Sequence, residues 1–210
     1  MRKFALLGIC AVAIAAAFAV PAGAASGGGC QLDGNASFTP GLTNSTTTAF
    51  TYSFSGALTS CKSSDATAPA TGTVAAGAQY TRTYTDPTTG ASHTVTYQLL
   101  SHGTGGCPTS NTSGTAIVTW ADGSTTVLPY TSTGALAAVN LSGNVANSVN
   151  IPAVSGLQAG DPDHITITTT RFAGYGSQGA VAFQPPDPTA CGGAGVTTAG
   201  IHGFVGLGSQ

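Results

Sequence analysis

The amino-acid sequence predicts an all-β domain, an antiparallel two-sheet sandwich that is stapled by two disulfides. Short runs rich in threonine, valine and aromatic residues are broken by glycine, proline and aspartate, which is strand composition with turn punctuation. The segment Phe50–Phe54 alternates aromatic and hydroxyl side chains, so one face should pack on a core while the other meets water. A barrel is the alternative architecture, because short antiparallel strands at this spacing build either form.

The N-terminus is typical of a secretory signal peptide that covers residues 1–24. Arg2 and Lys3 supply a positive start, Phe4–Val20 is apolar, and Ala22–Ala24 has the small residues that signal peptidase requires. The competing interpretation is a retained membrane anchor, for which the apolar stretch is at the short limit. We therefore expect a secreted, extracellular protein with no membrane attachment after the signal is cleaved.

Cleavage after Ala24 leaves 186 residues, which is the size of one domain. Residues 25–29 are expected to form a flexible linker, and residues 30–184 the sandwich domain. Residues 185–210 are a tail rich in proline and glycine, in which we expect one last strand tied down by Cys191.

Low charge excludes several classes of partner. Removal of the signal leaves three cations, Lys62, Arg82 and Arg171, against seven aspartates and no glutamate. Three scattered cations neither neutralise a run of phosphates nor hold an anionic lipid surface, so we expect no nucleic-acid partner and no membrane partner. The mature chain has a single lysine, so its strand edges are short of the side chain that most often prevents pairing with another chain. This favours a partner on an exposed strand edge, or self-association.

Several segments are the clearest strand candidates: Ala49–Leu58, Gln79–Thr85, Ser92–Leu100, Gly114–Ala121, Ser124–Tyr130, Leu136–Val145 and His164–Phe172. Two hairpins connect neighbouring candidates. Ala121–Gly123 contains Asp-Gly, which tolerates the positive φ angles of a tight turn. Asp86–Gly90 contains a proline that presets the turn.

The mature chain has four cysteines: Cys30, Cys61, Cys107 and Cys191. An even number in an exported chain predicts two disulfides, with three possible connectivities. If residues 31–39 and 49–60 form neighbouring antiparallel strands, the start of the first lies beside the end of the second. That arrangement favours Cys30–Cys61 and leaves Cys107 for Cys191.

The polar cluster Asp161–His164 is the best metal candidate, since Asp161, Asp163 and His164 are suitable ligand types. A turn in which the aspartates bond local amides is the competing interpretation. No motif predicts a cofactor. The four histidines, His93, His102, His164 and His202, are widely spaced, and no catalytic residue is singled out. Any of them would serve a hydrolase only if an aspartate and a serine joined it in space.

Trp120 lies on an apolar strand candidate beside Ile117 and Val118, so we expect it in the core. A platform on which sugars stack is the competing role for this ring. The order Cys107, Trp120, Cys191 resembles that of immunoglobulin domains, although Thr189 stands where that family has tyrosine. This resemblance implies an immunoglobulin-like sandwich.

The chain also resembles small exported proteins of actinobacteria. The resemblance lies in Cys30–Gly34, Phe38–Leu42 and Gly114–Trp120 followed by Asp122-Gly123, and it implies no activity. The sequence thus predicts a secreted, non-catalytic binding or interaction protein at the cell envelope or outside the cell. An envelope glycan or a protein is the expected partner class, and a small secreted hydrolase with a spatially assembled Ser/His/Asp site is the alternative.

Overall fold

The computed structural model describes residues 27–208, so the predicted signal peptide lies outside the described part of the chain. The strands, in chain order, are β1 (Gly27–Leu42), β2 (Ala49–Ser63), β3 (Gly72–Ala76), β4 (Gln79–Thr85), β5 (Ser92–Gln98), β6 (Ser101–Gly105), β7 (Thr109–Trp120), β8 (Thr125–Ala135), β9 (Ala138–Asn144), β10 (Ser148–Ser155), β11 (His164–Thr168), β12 (Gly176–Gln184) and β13 (Val196–Gly208). A single 3-10 turn, Ala190–Gly192, precedes β13. Within residues 27–208 no helix is long and apolar enough to cross a membrane.

The larger sheet closes on itself into an eight-stranded antiparallel barrel. Its order is β1-β13-β12-β9-β8-β7-β3-β2, and β2 pairs with β1 to complete the circle. The short strand β6 shares the place of β3, because it pairs with the first halves of β2 and β7 while β3 pairs with their second halves. The prediction of a two-sheet, immunoglobulin-like sandwich is therefore wrong.

Closure follows from the pairing of β1 and β2, which are 16 and 15 residues long. Their ladder runs from Gly28 opposite Ser63 to Thr39 opposite Thr51, and it joins the two sides of the sheet. The apolar face of a closed sheet packs against itself, whereas a sandwich needs a second sheet for that purpose. Alternation of polar and apolar residues is the same in both architectures.

The second sheet, β11-β10-β5-β4, lies outside the barrel. It is built from two excursions of the chain, one between β3 and β6 and one between β9 and β12. Its buried residues Val95, Tyr97 and Ile151 pack on Ile117, which belongs to the barrel strand β7. Because Ile117 faces this sheet, the adjacent Ala116 and Val118 face the barrel interior.

The predicted disulfides are confirmed as Cys30–Cys61 and Cys107–Cys191. The first joins β1 to β2, which are the antiparallel neighbours expected from the sequence. The second joins the loop between β6 and β7 to the 3-10 turn before β13.

Both ends of the described chain belong to the barrel. Gly27–Gly29, expected as linker, pair with β13, and Gly28 and Gly29 also pair with β2. The glycine-rich end of the tail is β13, which lies between β1 and β12 along its length. Glycine lets these strands approach closely, since a Cβ on Gly28 would lie 2.5 Å from the carbonyl oxygen of Lys62 on β2.

The two predicted hairpin turns are present. Gly123 has φ 81° between β7 and β8, and the Asp122 carboxylate accepts a hydrogen bond from the Ser124 amide at 2.9 Å. Gly90 has φ 74° between β4 and β5, and the carboxylate of Asp86 accepts from the amide of Thr88 at 2.7 Å. Turn chemistry at these positions is local, which is why the sequence is sufficient to predict it.

Candidate functional site

One half of the barrel interior is filled by aromatic rings. Phe38 lies 6.0 Å from Phe50, 6.1 Å from Tyr52 and 5.7 Å from Phe183, measured between ring centroids. Rings at these distances pack edge-on or offset, which leaves little free volume between them. The predicted burial of the Phe50–Phe54 aromatic face is confirmed, because Phe50 and Tyr52 are buried and Phe54 is half-buried against the same core cluster.

The other half of the interior contains a cavity of about 80 Å³. Its walls come from nearly every barrel strand, and the side chains that form them are predominantly apolar: Leu32, Phe54, Leu58, Val74, Ala116, Val118, Trp120, Leu128, Leu141, Phe172, Val205 and Leu207. The lining also includes the exposed Lys62 and Ser63, so the cavity reaches the surface at this end of the barrel.

The space exists because inward positions in this half carry small residues. On β12, Phe183 fills the aromatic half, whereas Ser177 occupies the equivalent inward position at the cavity end. Ser177 lies opposite Gly143 of β9, which has no side chain to extend into the barrel. Ala116 of β7 contributes only a methyl group to the opposite part of the wall.

Trp120 is 5 % exposed, which confirms the expectation that it belongs to the core. Its indole Nε1 donates a 2.9 Å hydrogen bond to Thr126 Oγ1, and that hydroxyl donates to the Arg171 carbonyl at 2.9 Å. Its ring meets Phe172 edge-on, with 5.3 Å between the centroids. Trp120 therefore presents an apolar face to the cavity and has its single polar atom satisfied.

Arg171 binds two loops at the cavity end of the barrel. Its Nη1 lies 3.0 Å from Asp122 Oδ2, and its Nη2 lies 3.3 Å from Asp65 Oδ2. Nη2 also donates to the carbonyl of Thr67 at 2.8 Å. The guanidinium lies 5.4 Å from the ring centroid of Phe172, a cation–π distance.

These contacts hold the β2–β3 loop, residues 64–71, over the cavity, since Ala68 and Pro69 of that loop line it. Hydrogen bonds from the hydroxyl and amide of Thr67, together with Arg171, lower the pKa of Asp65. The carboxylate is thus held in the charged form that the guanidinium binds.

Ser177 Oγ differs from the other polar atoms of the wall. Ser177 is 5 % exposed, and its hydroxyl has no hydrogen-bond partner. Among the buried side chains of residues 27–208, the other polar atom in that condition is Arg171 Nε, at the loop contact described above. A buried hydroxyl without a partner costs free energy, so a hydroxyl facing a cavity marks a place where a ligand atom is favourable.

A hydroxyl network crosses the interior between the two halves. The Tyr52 and Tyr130 hydroxyls lie 2.6 Å apart, and Tyr52 also donates to Thr112 Oγ1 at 3.0 Å. Ser101 Oγ lies 3.4 Å from the Tyr130 hydroxyl. Burial raises the pKa of Tyr130 well above its ordinary value, so this phenol stays neutral and hydrogen-bonded.

Three of the four histidines pair with aspartates at separate places. His93 Nε2 lies 2.6 Å from Asp161 Oδ2, His164 Nδ1 lies 2.5 Å from Asp163 Oδ1, and His202 Nδ1 lies 2.7 Å from Asp33 Oδ2. In residues 27–208 none of these histidines is bonded to a serine or threonine hydroxyl, so the Ser/His/Asp arrangement of the hydrolase alternative is not assembled there.

The metal candidates Asp161, Asp163 and His164 do not converge. Asp161 turns toward His93 and accepts from the Gln158 amide at 2.8 Å, which is the local turn bonding that was the competing interpretation. Across the described part of the chain, no group of three or more His, Cys, Asp and Glu side chains is placed to hold a metal ion.

Comparison with protein-family models, with curated proteins and with solved structures gave no match. The cavity is therefore interpreted from its own geometry. Sequence reasoning missed it because the residues of its wall are far apart in the chain and each looks like an ordinary core or spacer residue. The one available signal was the small inward residue Ser177 on a strand that elsewhere carries Val181 and Phe183.

Proposed function

We propose that this protein is an exported, non-catalytic binding protein whose barrel cavity takes a small, mainly apolar molecule. The observation that carries the proposal is the cavity itself, about 80 Å³ of space with apolar walls in an otherwise packed interior. Protein cores are close-packed, and side chains that border an empty volume lack the dispersion contacts of a packed core. A ligand that fills it restores the missing contacts.

The size and position of the cavity agree with this use. Eight-stranded barrels have interiors just wide enough to be filled by side chains or to hold one small ligand. An engineered apolar cavity of about 150 Å³ binds benzene. The present cavity is smaller but reaches the surface beside Lys62 and Ser63, so part of a bound molecule can extend toward the mouth.

Two further features support an extracellular binding role. The disulfides Cys30–Cys61 and Cys107–Cys191 suit an oxidising compartment. Within the described residues the three His–Asp pairs lie apart and none bonds a serine or threonine hydroxyl, so binding explains more of this geometry than hydrolysis does. An envelope glycan or protein partner, and self-association, concern the outer surface and stay predictions.

The test uses the oxidised chain without residues 1–24, and toluene as an apolar probe. Trp120 is the single tryptophan, and its ring lines the cavity, so its indole resonance in a ¹⁵N-labelled sample reports filling directly. We expect a saturable shift of that resonance as toluene is added. The absence of any saturable shift would overturn the proposal.

Matched variants separate the cavity from the surface. Ala116→Leu extends a larger side chain into the cavity and should abolish the shift, while Ala57→Leu, at an exposed outward position of β2, should leave it unchanged. Equal binding by both variants would place the probe elsewhere and contradict the proposal. If Ala116→Leu does not fold, Val74→Leu replaces it in the test, because it adds one methylene to the same cavity wall.

A further inference from the structure

Ser177 is the polar feature of the cavity that the packing of the barrel does not explain. It lies on β12 between Gly143 of β9 and Leu207 of β13, with its side chain directed inward. It is 5 % exposed, and its hydroxyl has no hydrogen-bond partner among residues 27–208. An alanine would fill this position without the cost of an unpaired hydroxyl.

The other side-chain polar atoms of the deep wall are already bonded. Trp120 Nε1 donates to Thr126 Oγ1, and Thr126 Oγ1 donates to the carbonyl of Arg171. The Tyr130 hydroxyl lies 2.6 Å from that of Tyr52. At the mouth, Ser63 Oγ bonds the Gly27 carbonyl at 3.4 Å. Of the described residues that line the cavity, Ser177 thus supplies the one buried hydroxyl that remains to bond a ligand.

A water molecule would be held poorly beside Ser177. Ordered buried waters make about three hydrogen bonds to polar groups. Here the surrounding wall is apolar, with Leu141 and Leu207 on the strands that flank β12. Beside Ser177 Oγ, a water would find no other unpaired buried side-chain polar atom among the described residues of the wall, which is unfavourable for a water that needs about three bonds.

The wall also determines the charge of a suitable ligand. The one charged residue that lines the cavity in the described chain is Lys62, which is exposed at the mouth. An ionised group placed at Ser177 would have no counter-charge in an apolar surrounding, which is strongly unfavourable. A neutral hydroxyl or carbonyl needs only the single hydrogen bond that Ser177 can make.

We propose that the ligand is a neutral, small and mostly apolar molecule with a single hydroxyl or carbonyl group, and that this group bonds to Ser177 Oγ. The inference rests on the proposed binding function and adds the chemical class of the ligand. Ser177 is a specificity-determining residue in this arrangement, because it distinguishes molecules of the same shape that differ in one polar atom.

The test compares phenol and toluene, which have nearly the same shape but exchange a hydroxyl for a methyl group. Dissociation constants are measured by titration of the Trp120 indole resonance in the unsubstituted chain and in Ser177→Ala. Phenol is better solvated in water than toluene, so the quantity to compare is the ratio of the two constants, not either alone. A lost hydrogen bond of about 1 kcal/mol corresponds to roughly a fivefold change in that ratio.

We expect Ser177→Ala to weaken the binding of phenol by roughly fivefold relative to that of toluene, and to leave toluene binding unchanged or slightly tighter. Ser132→Ala is the matched control, because Ser132 is also a buried barrel hydroxyl but bonds Thr112 Oγ1 at 2.7 Å and does not line the cavity. The control should leave the ratio unchanged.

The outcomes separate this inference from the binding function. If both probes bind the cavity but Ser177→Ala leaves their ratio unchanged, the assignment of Ser177 is wrong and the binding function stands. If neither probe gives a saturable shift in the unsubstituted chain, the binding function itself is wrong.

Discussion

Arg171 Nη2 lies 3.3 Å from Asp65 Oδ2, although the two residues are 106 positions apart in the chain. The contact joins the segment that follows β11 to the β2–β3 loop, residues 64–71, across the cavity end of the barrel. Because the side chain of Arg171 is only 18 % exposed, its bonds are better shielded from solvent than those of a surface ion pair. Ala68 and Pro69 of this loop line the cavity, so Arg171 helps to fix part of the cavity wall.

Arg171→Met is expected to loosen the β2–β3 loop. The methionine keeps an apolar stem over Phe172 but loses the bonds to Asp65, Thr67 and Asp122. Charge-assisted hydrogen bonds of this kind correspond to about a tenfold or larger change in the opening equilibrium. Native-state hydrogen exchange of the amides in residues 64–71 should accelerate by about that factor.

Arg82→Met is the control for this experiment, since Arg82 is exposed on β4, away from the β2–β3 loop, and donates to the neighbouring Thr81 carbonyl at 3.4 Å. Exchange in the β2–β3 loop should not change in that variant. An unchanged exchange rate in Arg171→Met would show that packing of Ala68 and Pro69, and not Arg171, keeps the loop in place.

Asp161→Asn should reduce the loss in the free energy of unfolding that accompanies acidification. The hydrogen bond from His93 lowers the pKa of Asp161 below its ordinary value of 3.8, helped by the Gln158 amide. Because the pKa of Asp161 is lower in the folded than in the unfolded chain, the ionised carboxylate stabilises the fold. This stabilisation is complete above pH 3.8 and is lost as the pH falls through the pKa of the folded chain. Urea denaturation at pH 7 and at pH 3 should therefore differ less for Asp161→Asn than for the unsubstituted chain.

The matched control is Asp163→Asn, because Asp163 is 82 % exposed and pairs with its neighbour His164, whereas the Asp161 side chain is 10 % exposed. We expect that variant to keep the acid dependence of the unsubstituted chain. Equal acid dependence in Asp161→Asn and in the unsubstituted chain would contradict the role given to His93.

Tyr97→Phe should remove part of the alkaline destabilisation. Burial, followed by the hydrogen bond between the Tyr97 and Tyr84 hydroxyls, raises the pKa of Tyr97 from 10.0 to about 12. Because the pKa of Tyr97 is higher in the folded than in the unfolded chain, the neutral phenol stabilises the fold. This stabilisation is complete below pH 10 and is lost as the pH rises toward and through about 12. In the variant the free energy of unfolding should fall less between pH 9 and pH 11, and an unaltered slope would refute the assignment.

Removal of the Cys107–Cys191 disulfide should destabilise the fold more than removal of Cys30–Cys61. The two bonds span 84 and 31 residues, and the chain-entropy model then gives a difference of about 0.9 kcal/mol. The alanine double variants are compared by urea denaturation at neutral pH. The reverse order of stability would mean that native packing around Cys30, and not loop length, dominates the effect.

Part of this fold was accessible from the sequence because it depends on neighbouring residues. Turn chemistry at Asp122-Gly123 predicts one hairpin, and the neighbouring antiparallel strands of residues 31–39 and 49–60 place Cys30 beside Cys61. The burial of Trp120 follows from its apolar strand. Each of these features depends on a short stretch of chain or on two adjacent strands.

Closure of the barrel, the cavity and the free hydroxyl of Ser177 depended on tertiary structure. An inward residue has the same alternating pattern whether its strand faces a second sheet or the opposite wall of a barrel. The pairing of β1 with both β2 and β13 decides between them, and it joins residues from the two ends of the described chain. The cavity then depends on which inward side chains meet across the barrel, a relation that no local pattern of residues records.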